Sequence, residues 1–172
     1  MSDDGRPANG ARVSARRLME EAEHAREHAH APYSRFAVGA ALLTRSGRIV
    51  HGSNVENASY GLSVCAERTA LWKAVTEGER EFAAIAITAG PGAGAPPCGA
   101  CRQVLLEFAP ELRVLWRDAR GRIVARHLEE LLAEPFRPEA LLGPRPRPAP
   151  KRPARGRANK AARGRARKRV PK

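Results

Sequence analysis

Two short stretches hold the groups best suited to chemistry in this 172-residue chain: Cys65-Ala66-Glu67 and Pro97-Cys98-Gly99-Ala100-Cys101. They contain all three cysteines, an odd number that does not make a closed disulfide framework. In a reducing compartment such thiols are either small apolar filler or ligands. Cys98 and Cys101 are three apart, so on a helix they share one face of a turn. Cys65 and Glu67 are two apart and would point nearly opposite ways on regular helix. Both can face one site only if Cys65 lies at a helix cap. Three thiolates could then close on one metal and leave a fourth position open, which is the arrangement of catalytic zinc; a structural site fills all four. Helix N-termini favour this by lowering thiol pKa. Three thiolates on a divalent ion still leave the cluster formally anionic, and Arg68 is the nearest cation able to offset that.

The elements that must position these residues are legible in the apolar pattern. Residues 14–30 carry Ala15, Leu18, Met19, Ala22 and Ala25 at helical spacing, with Ser14 as N-cap and Pro32 beyond the end. Phe36 to Leu43 reads as a strand, Ser46-Gly47 as a turn, and Ile49-Val50 as the start of a second strand. Residues 65–77 are helical and stop at Gly78, and Phe82 to Thr88 reads as a buried strand. Ala89 to Pro97 is a Gly/Pro-rich loop, and Cys98 to Phe108 is helical again. Strands follow at Leu112–Trp116 and Ile123–Ala125, then a short helix at Leu128–Leu132. This alternation implies an α/β layered fold around a mixed sheet. With Cys65 in place of the histidine, the Cys-x-Glu and Pro-Cys-x-x-Cys elements match the signature of the zinc deaminases.

The net charge of +13 suggests a polyanion binder until it is located. Residues 143–172 hold 13 basic and no acidic side chains, leaving 18 of each sign in the first 142 residues. The tail has one branched aliphatic residue, Val170, and no aromatic, so it cannot offset chain entropy and is expected to be disordered. No run approaches the ~18–20 apolar residues of a membrane span. Residues 1–17 have no apolar stretch after their charges and do not read as a secretory signal. No membrane role and a cytoplasmic location are therefore expected.

The stretches PYSRFAVGAAL (32–42), NVENASYG (54–61), CAERTAL (65–71) and PCGACRQV (97–104), in that order, resemble the small homotetrameric three-cysteine cytidine deaminases. The resemblance covers roughly residues 12–142, which leaves a flexible N-terminus (1–11) and the basic tail (143–172) outside it. It implies a three-layer α-β-α sandwich with a mixed sheet of about five strands. It also implies zinc held by Cys65, Cys98 and Cys101, with Glu67 as proton shuttle and Arg68 hydrogen-bonding the ligand thiolates. Asn54 and Glu56 match a pair that binds sugar hydroxyls, and Phe36 an aromatic that packs on the pyrimidine. Phe136 matches an aromatic that a neighbouring subunit inserts into the pocket, with Tyr60 beside it. His30 departs from a common tyrosine, and Ala133 from a usual proline.

The implied activity is hydrolysis of cytidine and deoxycytidine to uridine and deoxyuridine plus ammonia, as in pyrimidine salvage. Alternatives are a deaminase of cytosine in RNA or DNA, a deaminase of a cytosine-containing antibiotic, and a non-catalytic zinc module that binds nucleic acid. The tail is either a compositionally biased extension or a cationic arm that binds polyanions nonspecifically. His24, His28, His51 and His127 lack ligand spacing to the cysteines and read as surface or structural. Trp72 and Trp116 read as core or interface.

Overall fold

The computed structural model describes residues 13–90 and 92–143. The expected flexible N-terminus, and the tail beyond Gly143, lie outside the described residues. The elements are α1 (Ala15–Arg26), β1 (Gly39–Thr44), β2 (Ile49–Ser53), a 3₁₀ turn (Tyr60–Leu62), α2 (Ala66–Thr76), β3 (Phe82–Thr88), α3 (Gly99–Phe108), β4 (Arg113–Arg117), β5 (Ile123–His127), α4 (Leu128–Leu131) and α5 (Glu139–Leu142). The strands form one sheet in the order β2-β1-β3-β4-β5. β3 and β4, joined by the α3 crossover, are parallel and the other neighbours antiparallel; β2 and β3, joined through α2, lie on either side of β1.

Alternation along the strands sends side chains to two different layers. Ala40, Leu42, Val50, Ile85 and Val114 pack with Ala66, Ala70 and Leu71 of α2 and Leu105 of α3. Ala41, Ala84, Ala86 and Leu115 pack on the other face with Leu18, Met19 and Ala22 of α1. The result is the expected three-layer α-β-α sandwich with a five-stranded mixed sheet. α1 is capped as its sequence implies, with the Ser14 hydroxyl accepting from the Arg17 N–H at 3.1 Å.

Both helix layers touch the sheet through a glycine. A Cβ at Gly39 would lie 2.1 Å from the Ala22 carbonyl oxygen on α1, and one at Gly52 2.3 Å from the Ala70 nitrogen on α2. These obstacles are helix backbone, which cannot rotate aside. Gly52 therefore sets how closely the helix that begins at Cys65 rests on β2. Gly52→Ala is expected to push α2 outward at a cost of about 3 kcal/mol, the upper part of the overpacking range. Thermal unfolding measures this, and an unchanged midpoint would refute the close approach.

Some boundaries differ from the sequence reading. α1 ends at Arg26, short of residue 30, because His30 leaves the helix to bridge Val55, its N–H donating to Asn54 O at 2.9 Å. β1 begins at Gly39 instead of Phe36, because residues 36 and 38 are bonded to the Asn54 side chain. α5 was not legible as an element; it starts just after Pro138. Trp72 is 44% exposed and belongs to no core, whereas Trp116 packs partly buried against one.

Candidate active site

Cys65 is the N-cap of α2 and Cys98 the N-cap of α3, both with extended backbone, at φ −72°, ψ 153° and φ −66°, ψ 167°. Neither thiol caps its own helix, so both sulfurs are free to face outward. Cys101 lies in the first turn of α3 and is fully buried. The three Sγ atoms lie within 4.8 Å of one another, and among the described residues this is the one cluster of potential metal ligands so placed. A two-residue ladder fixes the approach to Cys65: Val55 and Val64 exchange backbone hydrogen bonds of 3.0 and 2.9 Å. The cap position resolves the geometric problem of Cys65 and Glu67, since regular helix starts only at Ala66.

The electrostatics of the cluster fit a divalent metal. Hydrogen bonding from Cys101, together with Arg68, pulls the Cys65 thiol down to about 5. Cys101 is pushed up by that same thiolate and by burial. A thiolate is thus favoured at Cys65, beside Arg68 and at the positive start of α2. Arg68 Nη2 donates to Cys65 Sγ at 3.6 Å and to Ser63 O at 3.4 Å, while its buried Nε has no partner among the described residues. Its guanidinium carbon also lies 5.8 Å from the Trp72 ring centroid, a cation–π contact. Three soft sulfur donors at two positive helix ends suit zinc.

Glu67, on the first turn of α2, is 4% exposed. Burial raises its pKa, and the negative Cys65 thiolate raises it further. It is a carboxyl prepared to hold a proton next to the sulfur cluster, which is what acid–base work requires.

The other anticipated residues lie around the loops that precede the two helices. Asn54 is nearly buried, its Oδ1 accepting from Val38 N at 2.8 Å and its Nδ2 donating to Phe36 O at 2.9 Å. It thereby fixes the main chain that follows the Phe36 ring, while the Phe36 N–H before it donates to the Ser34 hydroxyl at 3.0 Å; Phe36 is 49% exposed. Arg35, just before it, has φ 57°, a left-handed conformation uncommon outside glycine. The Glu56 carboxylate accepts from Tyr33 N at 2.9 Å, from Ser34 N at 3.1 Å and from the Ser34 hydroxyl. These bonds hold its pKa below the usual value, the Ser34 hydroxyl contributing most. Tyr60 is 74% exposed and meets Tyr33 edge to face, with centroids 5.9 Å apart. Phe136 is 59% exposed.

Sequence reading missed three residues here. Ser34 anchors Glu56, Arg102 donates to Pro97 O at 2.8 Å and Leu131 O at 2.7 Å, and Gln103 bonds the backbone of Phe136. Arg102 and Gln103 stand in the PCGACRQV stretch directly after Cys101, so their place was visible although their partners were not. Of the histidines expected to be surface or structural, His51 is partly buried, its Nε2 2.8 Å from a Glu21 oxygen and its ring edge to face with His24.

Residues 12–115 match the family model described as the cytidine and deoxycytidylate deaminase zinc-binding region. The cytidine deaminase of Halalkalibacterium halodurans is 51% identical, covering 72% of this chain and 95% of its own length. That of Sporosarcina psychrophila is 44% identical over 75% of this chain and 96% of its own. The crystal structure of cytidine deaminase from Burkholderia pseudomallei superposes with a TM-score of 0.68 at 49% identity, covering 72% of this chain and 99% of that one. With the family model matched over residues 12–115, the sulfur cluster at two helix ends and relatives matched over 72–75% of its length, the chain belongs to the zinc-binding cytidine and deoxycytidylate deaminase family.

Proposed function

We propose that the enzyme hydrolyses free cytidine and deoxycytidine to the corresponding uracil nucleosides and ammonia, in the cytoplasm, as a step of pyrimidine salvage. The observation that carries this reading is the buried carboxyl of Glu67 beside three converging thiols. Cys65, Cys98 and Cys101 would hold zinc, which when bound supplies Lewis-acid activation of water. Glu67 takes a proton from that water and delivers it to N3 of the pyrimidine, which makes C4 electrophilic. The remaining hydroxide adds to C4; Glu67 then takes the hydroxyl proton and gives it to the exocyclic amino group, and the C4–N bond breaks to leave the C4 carbonyl and ammonia. Arg68 offsets thiolate charge by its bond to Cys65 Sγ. Phe36 supports the pyrimidine, held by the Asn54 bond to its carbonyl. Glu56, partly exposed, keeps unused lone pairs on its carboxylate and, with Asn54, receives the sugar hydroxyls. Phe136 closes the pocket of a neighbouring subunit beside Tyr60 in a homotetramer, which gives its exposed ring a partner.

The catalytic unit is residues 12–142, and the tail beyond it is an arm for polyanions. Ammonia release from cytidine, measured with and without a zinc chelator, tests the reading on full-length protein and on a chain lacking residues 143–172. Full turnover for both proteins, abolished by chelator, is expected. Nucleic-acid retention should be salt-sensitive in the full chain and lost on truncation, because a cationic arm binds by counterion release. If truncation destroys turnover on the free nucleoside, the boundary is wrong. Turnover on a cytosine-bearing oligonucleotide but not on cytidine would favour a polymer deaminase.

A further inference from the structure

We propose that Gln103 is a positioning residue for Phe136, so that the helix carrying two of the thiols also sets the aromatic that completes a nucleoside pocket. The inference rests on the reading of Phe136 above. The Gln103 side-chain amide donates from Nε2 to Phe136 O at 2.7 Å and accepts at Oε1 from Phe136 N at 3.2 Å. It therefore grips both polar groups of a single residue's main chain, which fixes orientation as well as location. Arg102, the preceding residue, donates to Leu131 O at 2.7 Å. The stretch from 131 to 136 is thus strapped at both ends to α3, directly after Cys101.

Between the straps, residues 132–135 form neither helix nor strand. The Phe136 ring is 59% exposed and packs little within its own chain. Its direction is accordingly set by the two main-chain bonds and not by packing of the ring. Losing them frees the Phe136 end of the segment, while Leu131 and Leu132 stay packed against the core at its other end.

Steady-state kinetics on cytidine with the zinc-loaded enzyme test this. Gln103→Ala should raise KM about tenfold, the effect of losing two ordinary hydrogen bonds, with kcat within about twofold. Zinc content should not change, and the unfolding temperature should fall by no more than about a few degrees, the cost of two partly exposed bonds. Gln103→Glu keeps the size and the acceptor for the Phe136 N–H but sets a carboxylate against the Phe136 carbonyl, so KM should rise similarly. Phe136→Ala should raise KM by itself, and adding Gln103→Ala to it should change KM less than about twofold, because coupled residues are not additive. A raised KM in Phe136→Ala with an unchanged KM in both Gln103 variants overturns the positioning role. Effects that multiply in the double variant overturn it too, as does a fall of kcat together with unfolding temperature. An unchanged KM in Phe136→Ala overturns the reading of Phe136 itself, and the coupling with it.

Discussion

Glu67→Gln is expected to cut turnover on cytidine by about 10²–10⁴-fold while leaving the fold and the sulfur cluster intact, the usual loss when a general acid–base group is removed. Gln is isosteric with Glu and neutral. In the folded protein the carboxyl is already driven toward its protonated, neutral form by burial, and the Cys65 thiolate adds to this. A neutral amide at that place should therefore cost little stability. What it cannot do is accept a proton at one atom and release it at another, and the proposed chemistry asks for that twice. The measurements are kcat on cytidine, metal content and thermal unfolding, made together. A variant that retains zinc and unfolds normally but turns over within about threefold of the parent would remove Glu67 from the mechanism.

The chemistry was more legible than the architecture around it, and there is a physical reason. Cys98 and Cys101 are brought together by helical spacing alone, a local property that sequence displays. Cys65 required one further step: a residue two before Glu67 can share its site only from the cap, and the cap is where it stands. β3 was read with its observed limits because a run of apolar residues in a doubly covered strand carries its own signature. The misread boundaries, at residues 26 and 36, are set by partners distant in sequence: His30 ends α1 by bridging Val55, and Asn54 delays β1 by bonding residues 36 and 38. Nothing in the local pattern reports a side chain some twenty positions away. Gln103 and Ser34 escaped for the same reason, since each bonds to a segment more than twenty residues off. Gly52 carries no local sign of its role, because the α2 backbone that a Cβ there would meet belongs to residues 66 and 70.

Removal of a thiol should be as damaging as loss of Glu67, and the two most informative positions differ in burial. Cys98 is exposed and Cys101 fully buried. Cys98→Ala and Cys101→Ala are both expected to bring zinc below about a tenth of an equivalent per chain and turnover to background. Even partners that only orient a ligand are worth about 10–100-fold in metal affinity, so a ligand is worth at least that. The stability outcomes should separate. Holding a metal between the starts of α2 and α3 is also folding free energy, so either variant should unfold at the temperature of the metal-free parent or below it. Cys98→Ala removes no buried packing and should coincide with the metal-free parent. Cys101→Ala also deletes a buried sulfur and the donor that holds Cys65 as a thiolate, so it should unfold at a lower temperature still. Metal analysis and calorimetry of parent, metal-free parent and the two variants decide the matter. Full zinc in either variant would mean that the assigned thiol is not a ligand. Equal zinc loss with the two stabilities reversed would mean that the sulfurs occupy roles other than those their burial assigns.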